Sequence, residues 1–133
     1  DVLIGGLGQD LIIGGRGRDF MTGNGGNDRF DFNVVADSGP TSATRDIITD
    51  FAAGTGLTTL DRIDVSTIDA NTTLAGNQAF ALGKAFLAGH FQATQSGASV
   101  LLEFNTDADT AFEMRILLSN VSVANLNSGD FIL

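Results

Sequence analysis

Residues 5–31 read GGLGQDLII, GGRGRDFMT and GNGGNDRFD, and their reading decides the fold. One nine-residue pattern, G-G-x-G-x-D-x-U-x with U a large apolar residue, occurs three times in strict register. Gly5, Gly14 and Gly23 open the units, and Gly8, Gly17 and Gly26 hold the fourth place. Asp10, Asp19 and Asp28 take the sixth place, and Ile12, Met21 and Phe30 the eighth. Asp1-Val2-Leu3-Ile4 is the tail of an earlier unit in the same register. A flexible Gly/Asp linker does not hold four places in phase through three units, and a fixed period outranks local propensity.

Glycines permit positive φ and remove Cβ atoms, so six residues curl into a tight turn with carbonyls facing inward. The aspartate adds a charged oxygen to that ring. The remaining three residues suffice only for a short strand, whose apolar member points inward. Two turns and two strands close one coil of a flattened parallel helix, so units two apart in sequence stack on the same edge. The gap between stacked turns is lined by oxygen alone. Hard oxygen ligands on a flexible loop suit Ca2+ rather than Zn2+ or copper, and Mg2+ less well because it demands near-ideal octahedral geometry.

These repeats resemble the RTX calcium-binding proteins with their parallel β-roll. The resemblance implies that a calcium ion takes the second- and fourth-place carbonyls and the Asp of one turn. It also takes the first- and third-place carbonyls and the Asp of the turn two units later. Carried over, one complete site is Gly6, Gly8 and Asp10 with Gly23, Gly25 and Asp28. A second pairs Asp1 with Gly14, Arg16 and Asp19 and lacks its upstream carbonyls. Further sites start from Gly15, Gly17 and Asp19, and from Asn24, Gly26 and Asp28, and close against Asp37 and Asp46. Asn24 departs from the second glycine of the pattern, but its backbone carbonyl serves equally.

At 133 residues the chain is one domain or two small ones, and 43% of it is hydrophobic, enough for a core. Its formal charge is -9, from 16 acidic and 7 basic residues, with no basic stripe; nucleic acid is therefore not an expected partner. Asp1, Asp10, Asp19, Asp28 and Asp31 crowd the repeats, so mutual repulsion is expected to keep that segment loose without metal. There is no cysteine; metal is the expected staple in place of disulfides. No apolar run is long enough to span a membrane, and no N-terminal signal peptide is present. The chain opens mid-repeat, which reads as a piece of a longer protein with its natural C-terminus.

Beyond the repeats, strands are expected at Arg29–Val35, Asp46–Phe51 and Arg62–Ser66, with a proline-bearing loop at Ala36–Thr44 and a Gly/Thr loop at Ala53–Thr59. Ser66–Gln78 reads as irregular, and Ala79–Leu82 and Lys84–Leu87 as short apolar pieces. His90–Gln95, Ala98–Phe104 and Phe112–Leu118 read as an antiparallel meander, and Phe131-Ile132-Leu133 ends the chain. The expected core is Ile12, Met21, Phe30, Phe32, Phe51, Ile63, Val65, Phe80, Phe86, Val100, Leu102, Phe112, Met114, Ile116 and Phe131. The fold class is all-β: a right-handed parallel β-roll over residues 1–35, truncated at its N-terminal end, capped by an antiparallel β-sandwich-like region over 36–133. A stack of short coils cannot bury its own open end, so such a cap is required.

FDFNVVADS, RDIITDFAAG, DRIDVSTIDAN, GNQAF and GDFIL occur in the order found in the C-terminal domain of serralysin-type metalloproteases, and this part of the chain resembles that domain. Residues 56–60 look like an insertion relative to the family. The resemblance implies a secreted, extracellular protein with an upstream catalytic domain, exported through a type I ABC-transporter. Asp130-Phe131-Ile132-Leu133 resembles the uncleaved export signal, and reads equally as an edge strand.

No catalytic and no organic cofactor-binding constellation is present. H-E-x-x-H is missing, His90 is the only histidine, and no nucleophile elbow or phosphate loop is found. Asn105-Thr106-Asp107-Ala108-Asp109 starts like an EF-hand loop but lacks the glycine and the closing acid, and reads as a solvated hairpin turn. Asp61, Asp64 and Asp69 read as exposed turn faces. The leading function is a calcium-dependent folding and secretion module; the alternative is an alginate-binding accessory module of an epimerase-like enzyme, for which Arg16, Arg18 and Arg29 are the clustered basic residues.

Overall fold

The eighth-place residues of the repeats do point inward: Ile12, Met21 and Phe30 are buried in one apolar cluster. The computed structural model describes residues 1–54, 60–83 and 87–133. Its strands are β1 (Val2–Ile4), β2 (Leu11–Ile12), β3 (Phe20–Thr22), β4 (Arg29–Asp31), β5 (Asp46–Ile48), β6 (Arg62–Asp64), β7 (Ala81–Leu82), β8 (His90–Ser96), β9 (Ser99–Asn105), β10 (Met114–Leu118) and β11 (Phe131–Ile132). No α-helix occurs among the described residues.

Strands β1 to β6 alternate between two sheets, as the coil requires. One sheet runs β1-β3-β5-β10-β9-β8-β7 and the other β11-β6-β4-β2. Val2 pairs in parallel with Phe20, and Leu11 with Arg29, each one coil apart. The next rungs stay parallel across longer excursions: Phe20 meets Ile47, and Arg29 meets Arg62. The ladder then takes in strands from the far end of the chain, with β10 parallel to β5 and β11 parallel to β6.

The expected meander is present, since β8, β9 and β10 pair antiparallel in sequence. It forms no separate sandwich, however. It extends the sheet that carries β1, β3 and β5. The physical reason is that β10 can satisfy the open edge of β5 directly, which leaves no edge for a second sheet pair to cover.

Of the expected core, Phe112 is only half-buried, and Phe86 and most of the 56–60 insertion lie outside the described residues. Phe91 and Phe104 were not expected in the core, yet both are fully buried and stack at 5.0 Å. The strand expected over Arg29–Val35 stops at Asp31. Asp37 takes the amides of Asn33 and Val34 on Oδ2 and turns the chain into a short 3-10 turn.

Candidate metal centre

Each turn of the repeat carries its aspartate to one edge of the ladder, and the edges alternate. Asp1, Asp19 and Asp46 share one edge; Asp10, Asp28 and Asp61 share the other. A single hydrogen bond recurs along both. Asp28 Oδ1 accepts from the Asp10 amide at 2.9 Å, and Asp61 Oδ1 from the Asp28 amide at 2.9 Å. Asp46 Oδ1 accepts from the Asp19 amide at 2.9 Å, and Asp19 Oδ1 from the Asp1 ammonium at 2.6 Å. Asp19, Asp28, Asp46 and Asp61 thus each take the amine or amide of a neighbouring turn on one oxygen, and the first three have a second oxygen to spare.

Those second oxygens define the site. Oδ2 of Asp19, Asp28 and Asp46 is buried and has no hydrogen-bond partner among the described residues. A buried carboxylate oxygen with nothing to neutralise it is costly, unless a cation takes it. The first-place glycines make room for it: a Cβ on Gly14 would lie 2.7 Å from Asp19 Oδ2, and one on Gly23 2.2 Å from Asp28 Oδ2. At Gly5 the same cradle holds Asp10 Oδ2, which also accepts from the Gly6 amide at 2.7 Å. The donor set of carboxylate and carbonyl oxygens with no nitrogen or sulfur fits a hard divalent cation.

The complete six-residue site is brought together. Gly6 carbonyl accepts from the Gly25 amide at 3.1 Å, and Gly25 carbonyl from the Gly8 amide at 2.6 Å, so the turns carrying Asp10 and Asp28 are in direct contact. Each of these carbonyls keeps a second lone pair. Gly8, Gly15, Gly17 and Gly26 all have positive φ. Asn24 is left-handed too, at φ 67, and its amide and that of Gly23 are both taken by the Asp50 carboxylate. Arg16, the third-place residue beside Gly14, is exposed.

Downstream, the pairing differs from the expected one. Asp19 was expected to close against Asp37 and Asp28 against Asp46; in the structure Asp19 meets Asp46, and Asp28 meets Asp61. The excursions between rungs are longer than eighteen residues, so the landing position shifts. Asp37 stays near Asp46 but is occupied with its own turn. Asp61 and Asp64 are buried rather than exposed. Asp61 has no oxygen to spare, because Oδ2 accepts from the Ala52 amide at 2.8 Å.

Burial pushes the Asp46 carboxyl up to about 7, with the neighbouring charges of Asp19 and Asp37 adding to the rise against the pull of the Asp19 amide. Burial also raises Asp61, opposed by the amides of Ala52 and Asp28.

A second acidic group lies on the β9–β10 connection. Asp107, Asp109 and Glu113 bring ligand oxygens within 4.8 Å of one another and could hold a metal ion. Asn105, Asp107 and Asp109 each accept the amide two residues on, so the hairpin turn is built from successive side-chain turns.

No helix among the described residues is long and apolar enough to cross a membrane. No curated protein matches this chain. The AlgE6R3 subunit from the Azotobacter vinelandii mannuronan C5-epimerase is 28% identical, with TM-score 0.66 over 99% of this chain and 67% of that one. The AlgE6R2 subunit of the same organism's enzyme is 27% identical, with TM-score 0.67 over 100% of this chain and 87% of that one. These likenesses agree with a mostly β fold of mixed and parallel sheets. A family model described as peptidase M10 serralysin C terminal matches residues 2–133, and with the whole ladder and its cap inside that match, the chain belongs to this family of accessory domains.

Proposed function

We propose that this chain is a calcium-binding RTX-type module of a larger secreted protein, a serralysin-like metalloprotease, in which calcium drives folding after type I export. Residues 1–35 carry the regular repeat as a right-handed parallel β-roll, and residues 36–133 supply the cap and the C-terminal segment that the exporter reads. The observation that carries the reading is the trio of buried, unpartnered oxygens on Asp19, Asp28 and Asp46. Calcium, when bound, supplies the positive charge that makes their burial favourable. Asp28 and Asp46 each hold one neighbouring turn by their other oxygen, so ion binding and rung stacking are one event. Gly6, Gly8, Gly23 and Gly25 supply carbonyls on one edge, and Gly14, Gly15, Gly17 and Arg16 on the other. Where calcium is scarce the acidic segment stays unfolded and can be exported; where it is abundant the ladder closes, which opposes return and seats the upstream catalytic domain.

Calorimetric titration of single variants tests this. Asp28→Asn and Asp46→Asn should each lose bound calcium together with folding midpoint. Asp61→Asn should keep its calcium count and lose only stability, because both Asp61 oxygens are taken by amides. Equal calcium counts in all three would refute the assignment.

Protons should partly substitute for the ion. The Asp46 carboxyl is raised in the folded state, so its contribution to stability is complete below the unfolded value of 3.8 and is lost as pH rises through about 7. In chelator, the folded fraction should therefore increase as pH falls through that value. A flat or opposite dependence of the dichroism signal would contradict the buried, uncompensated state of Asp46.

A further inference from the structure

Asn24 stands at the second place of its repeat, where the two earlier units have Gly6 and Gly15, and it is followed by Gly25. Asn24-Gly25 is the one Asn-Gly pair in the sequence. An asparagine side-chain amide is open to attack by the backbone nitrogen of the next residue, and glycine, with no Cβ, shields that nitrogen least. Asn24 is exposed and left-handed at φ 67. In the closed ladder both reacting groups are nevertheless held by the neighbouring turn. The Gly25 amide donates to the Gly6 carbonyl at 3.1 Å, and Asn24 Nδ2 donates to the Gly5 carbonyl at 3.4 Å. The Asn24 amide donates to Asp50 Oδ2 at 2.8 Å, and the Gly25 carbonyl accepts from the Gly8 amide at 2.6 Å. Gly25 cannot turn its nitrogen onto the Asn24 side chain without giving up these bonds. Asn127, which precedes Ser128, is fixed through both side-chain atoms, to the Gly54 carbonyl at 2.7 Å and the Gly129 amide at 2.9 Å.

We propose that Asn24 is a self-modifying site, protected while its turn is closed and converted to isoaspartate when the turn is open. The chemistry needs only water. The Gly25 nitrogen gives its proton to solvent and bonds to Asn24 Cγ; the Cγ–Nδ2 bond breaks, and Nδ2 takes a proton from solvent and leaves as ammonia. Water then opens the five-membered imide at one of its two carbonyls. Opening at Cγ leaves an ordinary aspartate. Opening at the main-chain carbonyl routes the backbone through Cγ and lengthens it by one carbon. The lengthened chain cannot keep the Gly25 amide on the Gly6 carbonyl and the Gly25 carbonyl on the Gly8 amide at once, because Leu7 and Gly25 are paired in fixed register between those two bonds. The turn carrying Asp28 then no longer seats on the turn carrying Asp10. Time spent open is thereby recorded as a lasting loss of the ability to close. The inference rests on the calcium reading only for what opens the turn; the reaction itself follows from the contacts.

The test holds the full chain in mildly alkaline buffer with calcium, with chelator, and with calcium plus denaturing urea. Asn24 is followed by peptide mapping, with fragmentation that separates aspartate from isoaspartate. In urea Asn24 should convert faster than any other asparagine. In calcium it should convert at least about tenfold more slowly, since reaction waits on opening of the turn. Chelator should match urea; chelator matching calcium while urea stays fast would support the site and count against the calcium reading instead. Gly25→Ala should slow the conversion in urea, where folding plays no part. Chain carrying isoaspartate at position 24, purified by chromatography, should not regain its β signal in calcium. The Asn24→Asp variant, which has the charge without the extra carbon, should regain it. Equal rates in calcium and urea, faster conversion at another asparagine, or full refolding of the isoaspartate chain would overturn the proposal.

Discussion

Transfer of the chain from calcium into excess chelator is expected to abolish most of its far-ultraviolet β signal, and re-addition of calcium to restore it. Three buried carboxylates, on Asp19, Asp28 and Asp46, each carry an oxygen with no protein partner. An uncompensated buried ion costs several kcal/mol, and a domain of this size commands only about 5–15 kcal/mol in all. The Asp1 ammonium offsets part of the cost at Asp19, but the costs at Asp28 and Asp46 are a large share of the whole stability, so the metal-free ladder has little left to hold it. Magnesium should restore far less signal, since the collar of carbonyls and carboxylates does not enforce octahedral geometry. Identical spectra in chelator and calcium would end the reading of these aspartates as ion ligands.

The second large effect is expected from Gly26→Ala. A Cβ there would lie 1.7 Å from the Gly8 carbonyl oxygen, and φ is +140. The clash is with backbone, in a pair of turns locked by the 2.6 Å bond from the Gly8 amide to the Gly25 carbonyl. Relief requires the turns to part, which removes Gly6, Gly8 and Gly25 from one another. The variant should not fold in calcium. Gly17→Ala separates the causes, because Gly17 holds the same fourth place at φ +115 with nothing within 4 Å of the added Cβ. It should lose only about 1–3 kcal/mol, the cost of a strained backbone alone. Equal midpoints for the two variants by calcium-titrated dichroism would show that turn contact adds nothing.

The repeats were legible because their period fixes three things at once: the edge of each aspartate, the inward apolar residue and the parallel register. The downstream partners were harder, since the G-G-x-G spacing ends at Gly26. One signal survives. Asp46-Ile47-Ile48 and Asp61-Arg62-Ile63 keep the acid and the buried residue two places on, as in Asp10-Leu11-Ile12 and Asp28-Arg29-Phe30. Counting that triplet instead of the nine-residue period would have paired Asp19 with Asp46 and Asp28 with Asp61. Asp50 gave no such sign, because its role is to receive the amides of Gly23 and Asn24 from a rung twenty-six or more residues away. Phe91 and Phe104 follow an alternation interrupted by polar neighbours, and only the hairpin register brings them face to face. The joining of β10 to β5 depends on a pairing between segments some seventy residues apart, for which local pattern carries no information.

The unequal spacing of the rungs has a practical corollary. Phe20 reaches Ile47, and Arg29 reaches Arg62, in the same parallel alignment that Val2 makes with Phe20. The coil therefore specifies where a segment must come back, and leaves the length of its detour free. Foreign peptides spliced into the Thr41–Thr44 bend would be carried as passengers on a scaffold whose assembly is switched by an ion.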